Sequence, residues 1–223
     1  MSKKRQMVIG SFVGIAVIVA VAGAAAGPIM SQVEQPGYSV SRSDGAMEIR
    51  QYGPLIAAEV EVGGERSVAI NEGFRLIAAY IFGANKPNAK IAMTAPVEQQ
   101  AKQTIAMTVP VTQRLRDTGW TVRFIMPRSW TMETLPIPTD DRIKLVPVAA
   151  KKMLAIRFSG TADDTLIAAK TSELRKYAAD QRLPVSGEPV LAFYNPPWTL
   201  PFFRRNEIML ELLPPQSREG HSG

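Results

Sequence analysis

Arg204 and Arg205 close a loop that carries four large rings, Tyr194, Trp198, Phe202 and Phe203, and three prolines, Pro196, Pro197 and Pro201. Proline presets φ and removes a backbone donor, so this loop is stiff as well as apolar. A wall of that kind either closes a core or lines a pocket for a flat apolar ligand. The arginines either face such a ligand or pair with Glu207 and fix the loop. Other chemistry is scarce. There is no glycine-rich phosphate loop, no G-x-S-x-G elbow and no H-E-x-x-H site, which removes most support for hydrolase and nucleotide-binding readings. Asp140-Asp141 and Asp163-Asp164 suit a turn and a helix start. Glu59 and Glu61 share one face of a strand and suit solvent. His221, the one histidine, lies in the polar tail. With no cysteine in the chain, disulfides, thiolate metal sites and a cysteine nucleophile are excluded.

The elements that must position this loop follow from periodicity. Met47, Ile49 and Gln51 alternate with Glu48, Arg50 and Tyr52, and a second alternating run covers 55–62, so two strands meet at Gly53-Pro54. Over 66–82 the period becomes helical, with Ile70, Phe74, Ile77 and Ile81 as the expected core stripe. Gly83 and Pro87 end it. A second row, Ala69, Gly73, Leu76 and Tyr80, makes the apolar arc wider than packing on one sheet requires, and a cleft partner is one explanation. IAMTAPV at 91–97 is nearly repeated as IAMTVPV at 105–111. The pair is expected as a hairpin, edge-like or bulged because Pro96 and Pro110 delete ladder donors. Met93 and Met107 read most simply as pliable core filling. Strands are expected at 120–126, 143–148, 153–158, 189–194 and 207–212. Thr161 with Asp164 suggests a capping box, opening a helix with Ile167, Thr171, Leu174 and Ala178 on one stripe. Strand, strand, helix, strand, strand thus occurs twice. The fold class is α+β, two β-α-β-β repeats forming a distorted antiparallel β-barrel or sheet with two packed helices.

The 223 residues divide into four parts: 1–30 a signal peptide or signal anchor, 31–45 a linker, 46–213 the domain and 214–223 a disordered tail. Residues 7–33 carry no charge and follow Lys3, Lys4 and Arg5, the layout of an exported chain. Both a cleaved signal and an uncleaved membrane helix over 7–30 satisfy the pattern. A periplasmic or otherwise extracytoplasmic location, with a possible membrane tether, is expected. Of the net charge of +6, those three cations leave 23 basic and 20 acidic side chains after residue 30. No stripe concentrates them, so nucleic acid is not an expected partner.

GFRLIAAYIFGAN, KIAMTAPV, FIMPRSW, PIPTDDRIKL, AIRFSG and YNPPWTLPFFRRNEIML, in that order, resemble the motifs of the SOUL heme-binding protein family. The resemblance covers about 47–213 and implies paired β-α-β-β repeats and noncovalent binding of heme or another tetrapyrrole. It places the ligand pocket at the first helix and the C-terminal loop: Ile70, Phe74, Ile77, Ala78, Tyr194, Trp198, Phe202, Arg204 and Arg205. The family's histidine ligand has no counterpart within this domain. An axial ligand to iron would have to be Met93, Met107 or Tyr194, with Met209 and Tyr80 further options, unless the protein leaves the iron unligated. Binding rather than catalysis is implied. Two alternatives stand beside it: a sensor or protein-interaction scaffold on the same fold, taking an amphiphilic small molecule without heme, and chelatase-like handling of tetrapyrroles.

Overall fold

A computed structural model describes residues 33–87, 103–116, 119–195 and 198–214. Among these residues eleven strands and two α-helices follow in chain order: β1 Tyr38–Asp44, β2 Met47–Tyr52, β3 Leu55–Val62, α1 Arg66–Ile81, β4 Asn85–Lys86, β5 Val111–Arg116, β6 Gly119–Ile125, β7 Ile137–Pro138, β8 Lys144–Val148, β9 Lys151–Phe158, α2 Asp164–Asp180, β10 Val185–Phe193 and β11 Asn206–Leu212. Nine strands form one antiparallel sheet in the order β1-β2-β9-β11-β10-β5-β6-β3-β8, while β4 and β7 pair separately. The α+β class holds, and of the two geometries expected it is the open sheet: β1 and β8 end it without meeting.

Strand alternation gives the sheet two unlike faces. On one, Ile49, Leu154, Ile156, Ile208 and Leu210 pack with Leu174 and Ala178 of α2. Beside them Val60, Val122 and Phe124 pack with Ala69, Leu76, Ile77, Tyr80 and Ile81 of α1. On the other face Met153, Ala155, Ala192 and Met209 gather with Val109 and Tyr194. α1 and α2 pack on the first face, and among the described residues no α-helix packs on the second.

Several expectations need correction. In α1 the second row is core: Ala69, Gly73, Leu76 and Tyr80 are buried with Ile77 and Ile81, whereas Ile70 is half-buried and Phe74 is exposed. Close approach decides this, because a Cβ on Gly73 would lie 2.6 Å from Val122 Cγ2. The second apolar row therefore meets the sheet and needs no cleft partner. The expected linker contains β1, paired with β2 through a register shift between Val40 and Arg42. In the second copy of the repeat only Val111 is in a strand. Residues 103–110 are irregular, with Ile105 bonded from its N–H to the Ile81 carbonyl. Nor is β5 an edge, since it pairs with both β6 and β10. The first copy, 91–97, lies outside the described residues, as do 1–30, His221 and the rest of the tail beyond residue 214. The cap of α2 is Asp163, whose carboxylate accepts from the Leu166 N–H at 2.9 Å, while Thr161 donates to Asp163. Among the described residues no helix is long and apolar enough to cross a membrane.

Candidate functional site

β2 places Arg50 and Tyr52 on the helix-free face, and β11 places Glu207 and Met209 there two strands away, with β9 between them. Arg50 is 2% exposed and grips Glu207 with both ends of its fork: Nη1 donates to Oε2 at 2.6 Å and Nη2 to Oε1 at 3.1 Å. Its Nε donates to Glu48 at 2.7 Å. Tyr194 Oη donates to Glu207 Oε2 at 2.7 Å, and Arg205 Nε donates to Glu207 Oε1 at 2.9 Å. One buried carboxylate thus gathers two guanidinium groups and a phenol, which fills its acceptor capacity. Burial works to raise the Glu207 carboxyl. The hydrogen bond and charge of Arg50, joined by Arg205 and Tyr194, outweigh it and hold the carboxyl below its ordinary value. Burial, followed by the Glu207 charge, pushes the Tyr194 phenol up, so it stays protonated. The rings complete the cluster: Arg50 lies 4.5 Å from the Tyr38 ring centroid, and Arg205 lies 3.9 Å from that of Tyr194.

Next to this cluster lies a cleft of about 100 Å³. Tyr38, Tyr52 and Tyr194 line it with Met153, Val190 and Met209, and Gln35 and Pro36 stand at its rim. Arg205 donates to Gln35 at 3.1 Å, tying the segment before β1 to this rim. Arg114, Arg123 and Lys151 bring positive charge to the same cleft.

The aromatic loop rises from the cluster. Its root closes where the Tyr194 N–H donates to the Arg205 carbonyl at 3.2 Å and the Arg205 N–H donates to Asn195 Oδ1 at 2.6 Å. A 3-10 turn, Pro201–Phe203, is held to the β9–α2 connection by the Gly160 N–H, which donates to the Pro201 carbonyl at 2.9 Å. Arg204 Nε donates to the Thr199 carbonyl at 2.7 Å. Pinned in this way, the loop presents Trp198 (75% exposed), Leu200 (54%), Phe202 (65%) and Phe203 (62%) outward, with the Phe202 and Phe203 rings 4.4 Å apart. Large apolar side chains clustered at the surface mark interaction sites more often than singly exposed ones do.

The expected site residues therefore separate into three groups. Ile70, Phe74, Ile77 and Ala78 belong to α1 over β3 and β6. There Ile77 is core, and the Phe74 ring lies 5.4 Å from that of Phe124. Trp198 and Phe202 lie on the loop between β10 and β11, with Arg204 at its base. Tyr194 and Arg205 lie in the buried cluster, and Tyr194 lines the cleft, whose walls include none of the four α1 residues. Sequence reasoning missed Tyr38, Arg50, Tyr52 and Arg114. The alternation of β2 and of Thr112, Arg114 and Arg116 in β5 was the signal that could have found most of them.

As an iron ligand Tyr194 fits poorly, because its hydroxyl hydrogen is committed to Glu207. Tyr80 Oη is likewise committed to the Pro136 carbonyl at 2.8 Å, and Met209 sulfur accepts from Tyr52 at 3.7 Å. Met107 packs on the α1 core, and Met93 lies outside the described residues. What the described residues offer a tetrapyrrole is apolar surface and cations. Among them no cluster of His, Asp and Glu could hold a metal ion. Asp140 instead binds the Arg142 backbone and side chain, which lowers its carboxyl to about 2.

In comparison with known proteins, the sequence family described as SOUL heme-binding protein matches residues 33–211. No curated protein matches the chain. Among solved structures, the cryo-EM structure of an EcmrR–DNA complex is similar with a TM-score of 0.50 and 10% identity, covering 94% of this chain and 70% of that one. A hydrolase from Listeria innocua gives 0.49 and 13% over 78% and 94% of the two chains. The EcmrR C-terminal domain gives 0.48 and 12% over 79% and 98%. At such identities the likeness is one of fold.

Proposed function

The chain belongs to the SOUL heme-binding protein family, and from that premise we propose that it binds heme or a related tetrapyrrole noncovalently on the apolar shelf of the β10–β11 loop. The observation that carries this reading is the outward set of Trp198, Leu200, Phe202 and Phe203 on a loop pinned at its root and its turn. A flat macrocycle covering about 400 Å² of apolar surface there gains roughly 10 kcal/mol before ordering costs. Micromolar affinity needs about 8 kcal/mol, so no bond from protein to iron is required. Arg204, at the base of the shelf, supplies positive charge for an acidic substituent, while Arg205 serves as a brace through Glu207. Binding, not turnover, is the activity, and nucleic acid is not a partner. The uncharged stretch 7–33 behind three cations supports export, with the domain either released or tethered through 7–30.

Hemin titrated into the full-length chain tests this reading. A saturable Soret change at micromolar protein is expected, and a purely linear, non-saturating response would overturn it.

A further inference from the structure

The cleft on the helix-free face is a different site from the loop shelf. Its charged lining is one-sided: among the described residues Arg114, Arg123 and Lys151 line it and no Asp or Glu does. Two of the three cations already have partners. Arg123 donates from Nε to Glu59 at 3.0 Å, and Lys151 pairs with Glu211 at 2.5 Å. The Arg114 side chain makes no hydrogen bond or ion pair to any described residue, although the residue is half-buried. Burial, followed by repulsion from Arg123, works against its charge, and attraction from Glu211 only partly offsets this. Partial burial without an acceptor is unfavourable for a guanidinium, and a carboxylate is the group its fork fits.

The rest of the cleft fixes the body of the ligand. Arg114 pairs across the sheet with Val190, which pairs on its other side with Met209. Beside Arg114 the lining is apolar, where Val190, Met209 and Met153 pack together; toward Tyr194 it is polar, with Thr112 paired to Arg123. A volume of about 100 Å³ is below the roughly 300–1,000 Å³ of sites for drug-sized ligands. It excludes a macrocycle and admits a narrow chain or a single ring.

We propose that this cleft binds a slim amphiphilic monocarboxylate, with the carboxylate on Arg114 and the apolar body against Val190, Met209 and Met153. The site is independent of the tetrapyrrole shelf.

Calorimetric titration of the full-length chain with octanoate, octanol and octylammonium tests it. Octanoate is expected to bind about tenfold to a hundredfold more tightly than octanol, the range of one charge-assisted hydrogen-bonded pair, and octylammonium more weakly than either. R114M should bring octanoate to the level of octanol while leaving octanol unchanged, and R114K should retain part of the preference. Alanine at Trp198 and Phe202 should leave all three unaffected, which separates this site from the shelf. Equal affinities for the three ligands, tightest binding of octylammonium, or an R114M protein that still prefers octanoate would each overturn the proposal. If R114M does not fold, the wild-type ranking and R114K decide the matter.

Discussion

Replacing Glu207 with Gln keeps the side-chain shape and one acceptor oxygen but removes the charge that buried Arg50 and half-buried Arg205 share. Arg50, at 2% exposure, cannot turn to water, so the substitution leaves a buried cation with a neutral amide at its fork and Glu48, at 2.7 Å from Nε, as its remaining carboxylate. Breaking a buried pair costs about 3–5 kcal/mol. Because Gln can still accept a hydrogen bond, the lower end, about 3 kcal/mol, is expected. With an m value near 2 kcal/mol/M, the urea midpoint should fall by about 1.5 M. The double replacement Arg50→Met with Glu207→Leu removes both charges and should cost much less than the two single changes together, a coupling of about 2 kcal/mol or more. The pH dependence follows in sign. The Glu207 carboxyl is held below its ordinary value of 4.5, so its contribution is complete above that pH and is lost as pH falls through the depressed folded-state value. E207Q should flatten the acid limb of the stability curve. A loss below about 1 kcal/mol for E207Q, or full additivity in the double variant, would refute the claim that this cluster braces the helix-free face.

Three further outcomes are expected. Gly73→Ala gains about 1 kcal/mol of helix propensity but places a methyl 2.6 Å from Val122 Cγ2, an overlap costing about 1–3 kcal/mol. Net destabilisation is expected in urea unfolding, partly relieved by adding Val122→Ala. Gln113 is buried with its Oε1 unpartnered among the described residues, so Gln113→Met should raise stability by about 1 kcal/mol, read as a higher urea midpoint. Tyr194→Phe should leave the Soret maximum of the hemin complex in place, because the phenol belongs to Glu207. A shift typical of lost phenolate ligation would contradict that assignment.

The sheet's strands could be read from the sequence because one of their faces is continuously apolar: Met47 and Ile49 alternate with Glu48 and Arg50, and both sets lie where that alternation puts them. β1 could not be read this way. YSVSRSD is exposed over most of its length, so no apolar face imposes a period on it. The core row of α1 was misassigned for a related reason. Size and hydropathy favour Ile70 and Phe74, while backbone approach to Val122 selects Gly73 and Ala69. At the site, the aromatic loop was conspicuous from its composition alone. The Arg50–Glu207 pair joins positions 157 residues apart, and nothing local in either strand specifies that meeting. The cleft was hidden because its apolar and cationic lining is contributed a residue or two at a time by several separate segments.

The most direct test of the tetrapyrrole shelf is to compare hemin affinity between the full-length wild-type chain and a Trp198→Ala, Phe202→Ala, Phe203→Ala variant, followed by Soret absorption at fixed salt. Loss of three ring contacts predicts weakening by at least a hundredfold, about 2.7 kcal/mol or more, with the urea midpoint unchanged because all three side chains are more than half exposed. Hemin affinity within threefold of wild type in the folded variant would contradict the account and place the ligand elsewhere on the molecule.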